Sequence, residues 1–247
     1  MATVVDPQLS RERLRTGFSD LRAALERLEI GPRDRSQISD AEAEFLFRFV
    51  RDHGVVDTLE VGCGLGKSAV SIMLGTGGKH IAIDPFQANY DFRGVRNVGR
   101  AGLADAFELR AEPSCTALPA LLAEGRRFDF VFVDGSHRFD DILVDFTFAD
   151  LLLRPGGHVV FDDLWMRTTQ LALAYIRTNR PDYRRDPGAP RTLALVQKIG
   201  EDERNGMFHR EFYTARGFVS HHAVTWLAGR DTPAKRVARR LKSALYR

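Results

Sequence analysis

Cysteine is scarce in this chain of 247 residues: only Cys63 and Cys115 occur. Two cysteines so spaced form neither a disulfide framework nor a zinc-ligand pattern. Apolar runs are short as well, and none reaches the ~18 residues that a membrane-crossing helix needs. Residues 1–7 lack the apolar core of a secretory leader. These absences lead us to expect a cytoplasmic protein in a reducing environment. Charge of one sign is also lacking. The 36 Lys and Arg against 33 Asp and Glu leave a net charge of +3, too little to argue for nucleic acid. No basic stripe interleaved with aromatics, internal repeat or long low-complexity linker is visible. What the chain does have is 44% hydrophobic residues, ample for a buried sheet with helices on both faces. Its length suits a single α/β domain with embellishments.

The most informative stretch is Glu60-Val61-Gly62-Cys63-Gly64-Leu65-Gly66-Lys67-Ser68. It follows the apolar residues Val55, Val56 and Leu59, and it opens a segment with Ala69, Ile72 and Met73 at helical spacing. A strand, a glycine turn and a helix start bring backbone N–H groups against a nucleotide or nucleoside ligand. A dinucleotide fold would need a third glycine where Lys67 stands, and lysine does not suit that close helix–strand contact. A P-loop would need its first glycine at Val61, so Gly66-Lys67-Ser68 supplies only the right-hand half of that motif.

Glu60, Gly62, Gly64 and Gly66 instead resemble the acidic glycine motif of the class I S-adenosylmethionine-dependent methyltransferases. The continuation through Ser68 to Val70 looks like the catechol-type small-molecule O-methyltransferases. The resemblance implies a doubly wound, Rossmann-like α/β fold with a mostly parallel seven-stranded sheet. It also implies that Ser68 holds the methionine carboxylate at a helix N-terminus, where N–H groups are unsatisfied. Glu60 would bond the methionine ammonium or order the turn beneath it. The bland alternative is a glycine turn that binds nothing.

Later segments fit the same reading. Lys79 to Ile83 is a second apolar run that ends in Asp84, 22 residues after Gly62, where doubly wound folds grip a ribose diol. Phe86 could lie against the adenine or simply pack in the core. A third strand is expected over 106–110, and the resemblance puts Glu112 and Ser114 beside the adenine, although Ser114 could equally cap a helix. The run Phe128 to Val133 ends in Asp134, and His158 to Phe161 ends in Asp162-Asp163. In an open parallel sheet these acids would converge at the carboxyl ends of the strands.

Three clustered carboxylates repel unless a cation lies between them. A hard divalent ion such as Mg²⁺ would resolve this. The arrangement resembles the metal-dependent O-methyltransferases, and its D-G-x-H and D-D forms look closest to the antibiotic-sugar branch. Asp134, Asp162 and Asp163 are therefore the expected metal ligands. His137 occupies the place where catechol-type enzymes carry a basic lysine. Histidine titrates near neutrality and suits a general base, and Asp134 is the competing base. Alternatively, His137 orients Asp134 or caps a helix, and Asp162-Asp163 caps a helix ahead of Trp165.

The resemblance covers residues 38–198. Beyond the motifs, helices are expected over 8–30, 40–52 (capped by Ser39 or Asp40), 140–153 and 168–179. A turn is expected at Arg154-Pro155-Gly156-Gly157, and a late strand over 193–198 with a return strand over 207–213. Residues 1–38 would form a helical cap or dimer contact, 39–199 the methyltransferase domain, and 200–247 an extension. The stretch 230–247 carries seven basic residues and one acid. It reads as an amphipathic helix docked on the domain, or as a weak contact with an anionic membrane surface. The expected partners are a small-molecule acceptor (a sugar diol or a catechol) and a second copy of the chain. Two other readings stay open: a phosphoryl-transfer enzyme with Asp162-Asp163 holding Mg²⁺, and a fold relative that hydroxylates or only binds.

Overall fold

The computed structural model describes residues 18–212, apart from 33, 35, 36 and 77. The 230–247 tail and Leu14 lie outside the described residues.

Short β-prone runs alternate with helical segments, and the result is one seven-stranded sheet with the order β3-β2-β1-β4-β5-β7-β6. Its strands are β1 (Thr58–Val61), β2 (His80–Ile83), β3 (Phe107–Arg110), β4 (Phe128–Val133), β5 (Leu153–Phe161), β6 (Tyr183–Asp186) and β7 (Ala194–Lys198). The first five are parallel to one another, while β7 runs antiparallel to both β5 and β6. The helices are α1 (Phe18–Leu25), α2 (Asp40–Asp52), α3 (Lys67–Gly75), α4 (Arg93–Arg100), α5 (Ser114–Ala123), α6 (Phe139–Leu152) and α7 (Arg167–Asn179).

The period-two alternation of the central strands decides the layers. Val131 and Val133 face one side, where they join Leu118 and Leu121 of α5, Phe146 of α6 and Ile176 of α7. Phe130 and Phe132 face the other side and meet Leu46 and Val50 of α2 with Ile72 of α3. Ala24 and Leu28 pack with Ala69, Val70 and Met73, so the segment that carries α1 seats on the outer flank of α3.

Helix α2 starts at a capping box. The Ser39 hydroxyl accepts from the Glu42 N–H, and the Glu42 carboxylate accepts from the Ser39 N–H at 2.6 Å. Such caps contribute about 1 kcal/mol. The strands foreseen at 106–110 and 193–198 and the helices at 140–153 and 168–179 form within a residue or two of their expected ends.

Two expectations need correction. Arg154 to Gly157 does not separate helix from strand but lies inside β5. Phe128 pairs with Leu153 and Phe130 with His158, so the intervening residues bulge out, with Gly156 at φ 83°. The return strand over 207–213 does not form among the described residues. Both edges of β7 are already taken, by β5 and by β6, a short strand whose sequence Tyr183-Arg184-Arg185-Asp186 gave no alternating signal. No helix among the described residues is long and apolar enough to cross a membrane.

Candidate active site

Strand β1 sits between β2 and β4, so the chain leaves it first towards one edge of the sheet and later towards the other. That reversal opens a crevice at the carboxyl ends of the strands. A cavity of about 800 Å³ fills it. Its wall includes the backbone of Gly62 to Leu65, Ser68, Asp84, Phe86, Ser114, Asp134, His137, Asp162 and Asp163. The topology thus gathers residues up to about a hundred positions apart.

The glycine turn is held on both sides. Gly62 has φ 90°, and a Cβ there would come within 2.1 Å of the Asp134 carbonyl oxygen, so the turn and the end of β4 approach closely. Gly66, at φ 78°, caps α3 without a side chain. Val61 ends β1 and is buried, so the first tight turn of a P-loop has no counterpart. Lys67 points away from the turn and ties α3 to α2, donating to the Ile38 carbonyl at 3.0 Å and to Asp40 at 2.6 Å.

Asp84 lies where a ribose ligand was expected, and it also braces the turn. One carboxylate oxygen accepts from Gly64 N–H at 2.9 Å and from Gln87 Nε2 at 2.7 Å; the other accepts from Phe86 N–H at 2.8 Å. Gln87 also donates to the Gly64 carbonyl at 2.8 Å and so clamps the loop. No sequence signal singled Gln87 out. Phe86 is 61% exposed on the cavity wall, which excludes core packing. Ser114 and Cys115 line the cavity, whereas Glu112 is exposed and lies outside its lining. Ser114 is the first residue of α5 and makes no cap; Pro113 holds that position.

Glu60 lies fully buried beneath the turn, outside the cavity lining. His80 Nε2 contacts one of its oxygens at 3.3 Å, and Thr58 Oγ1 meets His80 Nδ1 at 2.8 Å. The other Glu60 oxygen has no hydrogen-bond partner. These buried groups order the floor of the turn, and the orphaned oxygen leaves one acceptor open.

The acidic wall has its own electrostatics. Burial, followed by the charges of Asp162, Glu60 and Asp163, pushes the Asp134 carboxyl well above the usual carboxylate range. Burial likewise raises Asp162 to about 7. Asp163 differs. Its backbone is left-handed at φ 54°, and its side chain accepts from Trp165 Nε1 at 2.7 Å and meets His137 Nδ1 at 3.3 Å. Asp134, Asp162 and Asp163 therefore share a cavity wall, but among the described residues no group of three or more acids, histidines or cysteines has metal-ligand geometry. The third carboxylate is turned towards His137 and Trp165.

The capping alternatives do not hold. Helix α7 begins at Arg167 behind Met166, and α6 begins at Phe139 behind Arg138, so neither Asp162-Asp163 nor His137 is an N-cap.

Residues 59–164 match the family described as a methyltransferase domain. Over that stretch the chain is similar to a methyltransferase domain. Caffeoyl-CoA O-methyltransferase 1 of Eucalyptus globulus is 31% identical over 129 residues, 50% of this chain and 51% of that protein. The caffeoyl-CoA O-methyltransferase of Eucalyptus gunnii aligns to the same extent. The match thus spans about half the length of these curated relatives. The O-methyltransferase from Bacillus cereus, solved in complex with SAH, superposes with a TM-score of 0.62 at 20% identity, covering 77% of this chain and 96% of that one. TomG from Streptomyces achromogenes, an O-methyltransferase involved in tomaymycin synthesis and solved with SAM, gives 0.60 at 19% identity over 80% and 92%. The structural likenesses show that the chain shares the fold of these proteins, and the glycine turn, Asp134 and Asp162 all lie inside the stretch 59–164.

Proposed function

We propose that the chain is an S-adenosylmethionine-dependent O-methyltransferase that acts on a small acceptor with neighbouring hydroxyls, aided by a divalent cation. One observation carries the reading. A glycine turn braced by Asp84 and Gln87 opens onto a cavity of about 800 Å³ whose lining also holds Asp134, Asp162 and His137.

The donor set fits both groups. The cavity has the volume of a small-molecule site. Ser68 and the start of α3 suit the methionine carboxylate, the Asp84 oxygen that accepts only from Phe86 N–H keeps a lone pair for the ribose, and Phe86 offers an exposed ring to the adenine. S-adenosylmethionine supplies a methyl group on a sulfonium, already joined to a good leaving group. Asp134 and Asp162 would hold a cation such as Mg²⁺. Two carboxylates are enough for an ion that keeps waters and substrate oxygens in its other positions, and burial, followed by the charges of neighbouring acids, raises both carboxyls, a penalty that a cation relieves. Its chemistry is to make an acceptor hydroxyl more acidic.

The chain's own residues then have two tasks. The wall must align the acceptor oxygen with the methyl carbon, since proximity and orientation supply several orders of magnitude. It must also take the hydroxyl proton. Asp163 contacts His137 Nδ1 and leaves Nε2 free, which fits an oriented general base. The balance is simple: the C–S bond breaks with its pair staying on sulfur, a C–O bond forms, and His137 accepts the proton.

Calorimetric titration with S-adenosylmethionine, with ATP in parallel, tests the reading. Micromolar-range binding of the first alone is expected. Binding of ATP alone would return the phosphoryl-transfer reading.

A further inference from the structure

Gln87 is buried, and its amide nitrogen donates twice: to the Gly64 carbonyl at 2.8 Å and to Asp84 Oδ2 at 2.7 Å. Both partners are acceptors, so the opposite amide orientation would set an oxygen against two oxygens. The neighbours thus fix the orientation, and they leave Gln87 Oε1 buried without a hydrogen-bond partner. Buried acceptors are seldom left unpaired. Here one is, and in return both N–H groups stay on the turn and on the acid beside it.

The surrounding backbone is shaped around this amide. Gln87 opens a single 3-10 turn, Gln87–Tyr90, after which Asp91 and Phe92 both take left-handed backbone, at φ 53° and 54°. Two such residues in succession without glycine are strained, and strain of this kind gathers at functional sites. They return the chain through a bond of 2.8 Å from Phe92 N–H to the Gln87 carbonyl, just ahead of Gly94. A Cβ on Gly94 would lie 2.6 Å from the Gly64 carbonyl oxygen and 2.8 Å from Gln87 Oε1. No side chain fits there, so the amide is enclosed between the glycine turn and the start of α4.

The consequence falls on Asp84. Gln87 and the N–H groups of Cys63 and Gly64 occupy Oδ2, while Oδ1 accepts from Phe86 N–H and is the oxygen left to a ribose. Gln87 lies outside the cavity lining, so it acts through Asp84 and Gly64, which belong to it. We propose that Gln87 is a positioning residue for the cofactor: its amide locks the ribose acid and the glycine turn into one unit, and that lock sets the affinity for S-adenosylmethionine without entering the methyl transfer. The inference rests on the methyltransferase reading above and deepens it.

Calorimetric titration of the full chain is the test. Gln87→Ala should raise the Kd for S-adenosylmethionine about 30-fold, a difference of about 2 kcal/mol. At saturating cofactor its kcat should change by less than about threefold. 5′-Deoxy-5′-methylthioadenosine, which keeps the ribose and lacks the amino acid, should weaken by the same factor. Gln87→Glu gives a readout that lost packing would not move. The introduced carboxyl faces Asp84 and the Gly64 carbonyl; protonated it donates in place of the amide, and ionised it repels both. Its Kd relative to the parent should therefore rise about tenfold or more between about pH 5 and about pH 8. The other titratable groups at this corner are common to both proteins: Glu60 beneath the turn, and the Cys63 thiol, which burial pushes up. Arg93, at the start of α4, is paired with Asp34. An alanine variant within about twofold of the parent, unchanged binding of methylthioadenosine, or a pH-independent ratio for Gln87→Glu would each overturn the inference. Parent protein that still binds S-adenosylmethionine would then keep the methyltransferase reading standing. If Gln87→Ala does not fold, the pH series on Gln87→Glu decides alone. Parent protein that binds no S-adenosylmethionine would remove both readings.

Discussion

Two clusters of buried charge sit on the same sheet, and they are built on opposite principles. At the β5–β7–β6 edge every buried charge is matched. Asp150 accepts from the Tyr183 hydroxyl at 2.9 Å and pairs with Arg180 at 2.7 Å and Lys198 at 3.1 Å, while Arg180 also holds Asp182. The Arg180 guanidinium further lies over the rings of Phe146 and Tyr183. At the carboxyl ends of β4 and β5, Asp134 and Asp162 share a buried wall, the lysine and arginine of the same cavity, Lys67 and Arg138, are bonded elsewhere to Asp40 and Asp140, and both carboxyls are pushed up. Burying charge without a partner costs several kcal/mol, so a fold that compensates one cluster completely and leaves the other open marks the open one for function.

The largest expected effect would break this contrast from the functional side. Asp162→Ala should lower turnover by about 10³-fold or more, on the scale of losing an electrostatic stabiliser, while S-adenosylmethionine affinity in calorimetry changes little. Full activity of the parent in strong chelator would remove the cation from the scheme. On the matched side, Arg180→Met should destabilise the fold by about 3–5 kcal/mol, because it strands Asp182 and takes from Asp150 one of its two cations. Denaturant unfolding reads this directly, and a loss under 1 kcal/mol would make the edge network ornamental. His137→Gln should reduce kcat by about 10²-fold and flatten the pH–rate profile near neutrality; an unchanged profile would transfer the base role to Asp134.

The smallest effect sharpens the comparison at a third acid. Asp145 in α6 is buried, and burial raises its pKa to about 6, opposed in part by the nearby Ser114 hydroxyl. A raised folded-state value means that the folded chain holds the proton more tightly than the unfolded one. The contribution of Asp145 to stability is therefore complete below about pH 4 and is lost as pH rises through 6. Asp145→Asn should gain on the parent by about 2–3 kcal/mol between pH 4 and pH 7. A pH-independent difference between the two proteins would mean that Asp145 is not desolvated.

Much of this was legible in the chain. Strand-ending acids at Glu60, Asp84, Asp134 and Asp162 were visible because a short apolar run followed by an acid has a local signature. The glycine turn was legible because only glycine tolerates φ near 90° with the Asp134 carbonyl so close. The capping box at Ser39 and Glu42 was half-legible, since Ser39 was one of two candidate caps. Strand β6 was not, because Arg184 and Arg185 face solvent at a sheet edge and break the alternation that betrays a strand. Nor was the bulge in β5, since Pro-Gly-Gly reads as a turn unless the pairing of Phe128 with Leu153 is known.

The sequence by itself determined the glycine turn, the order of the strands' acids and the alternation that buries the sheet, because each depends on neighbours within a few residues. Tertiary structure alone decided which acids are spoken for. Asp84 braces the turn, Asp163 turns to His137 and Trp165, and Asp134 with Asp162 is left open. It also decided that Glu42 and Trp165 share a cavity, across more than a hundred residues of chain. Electrostatic fate depends on distances that only folding sets, and local spacing carries no record of them.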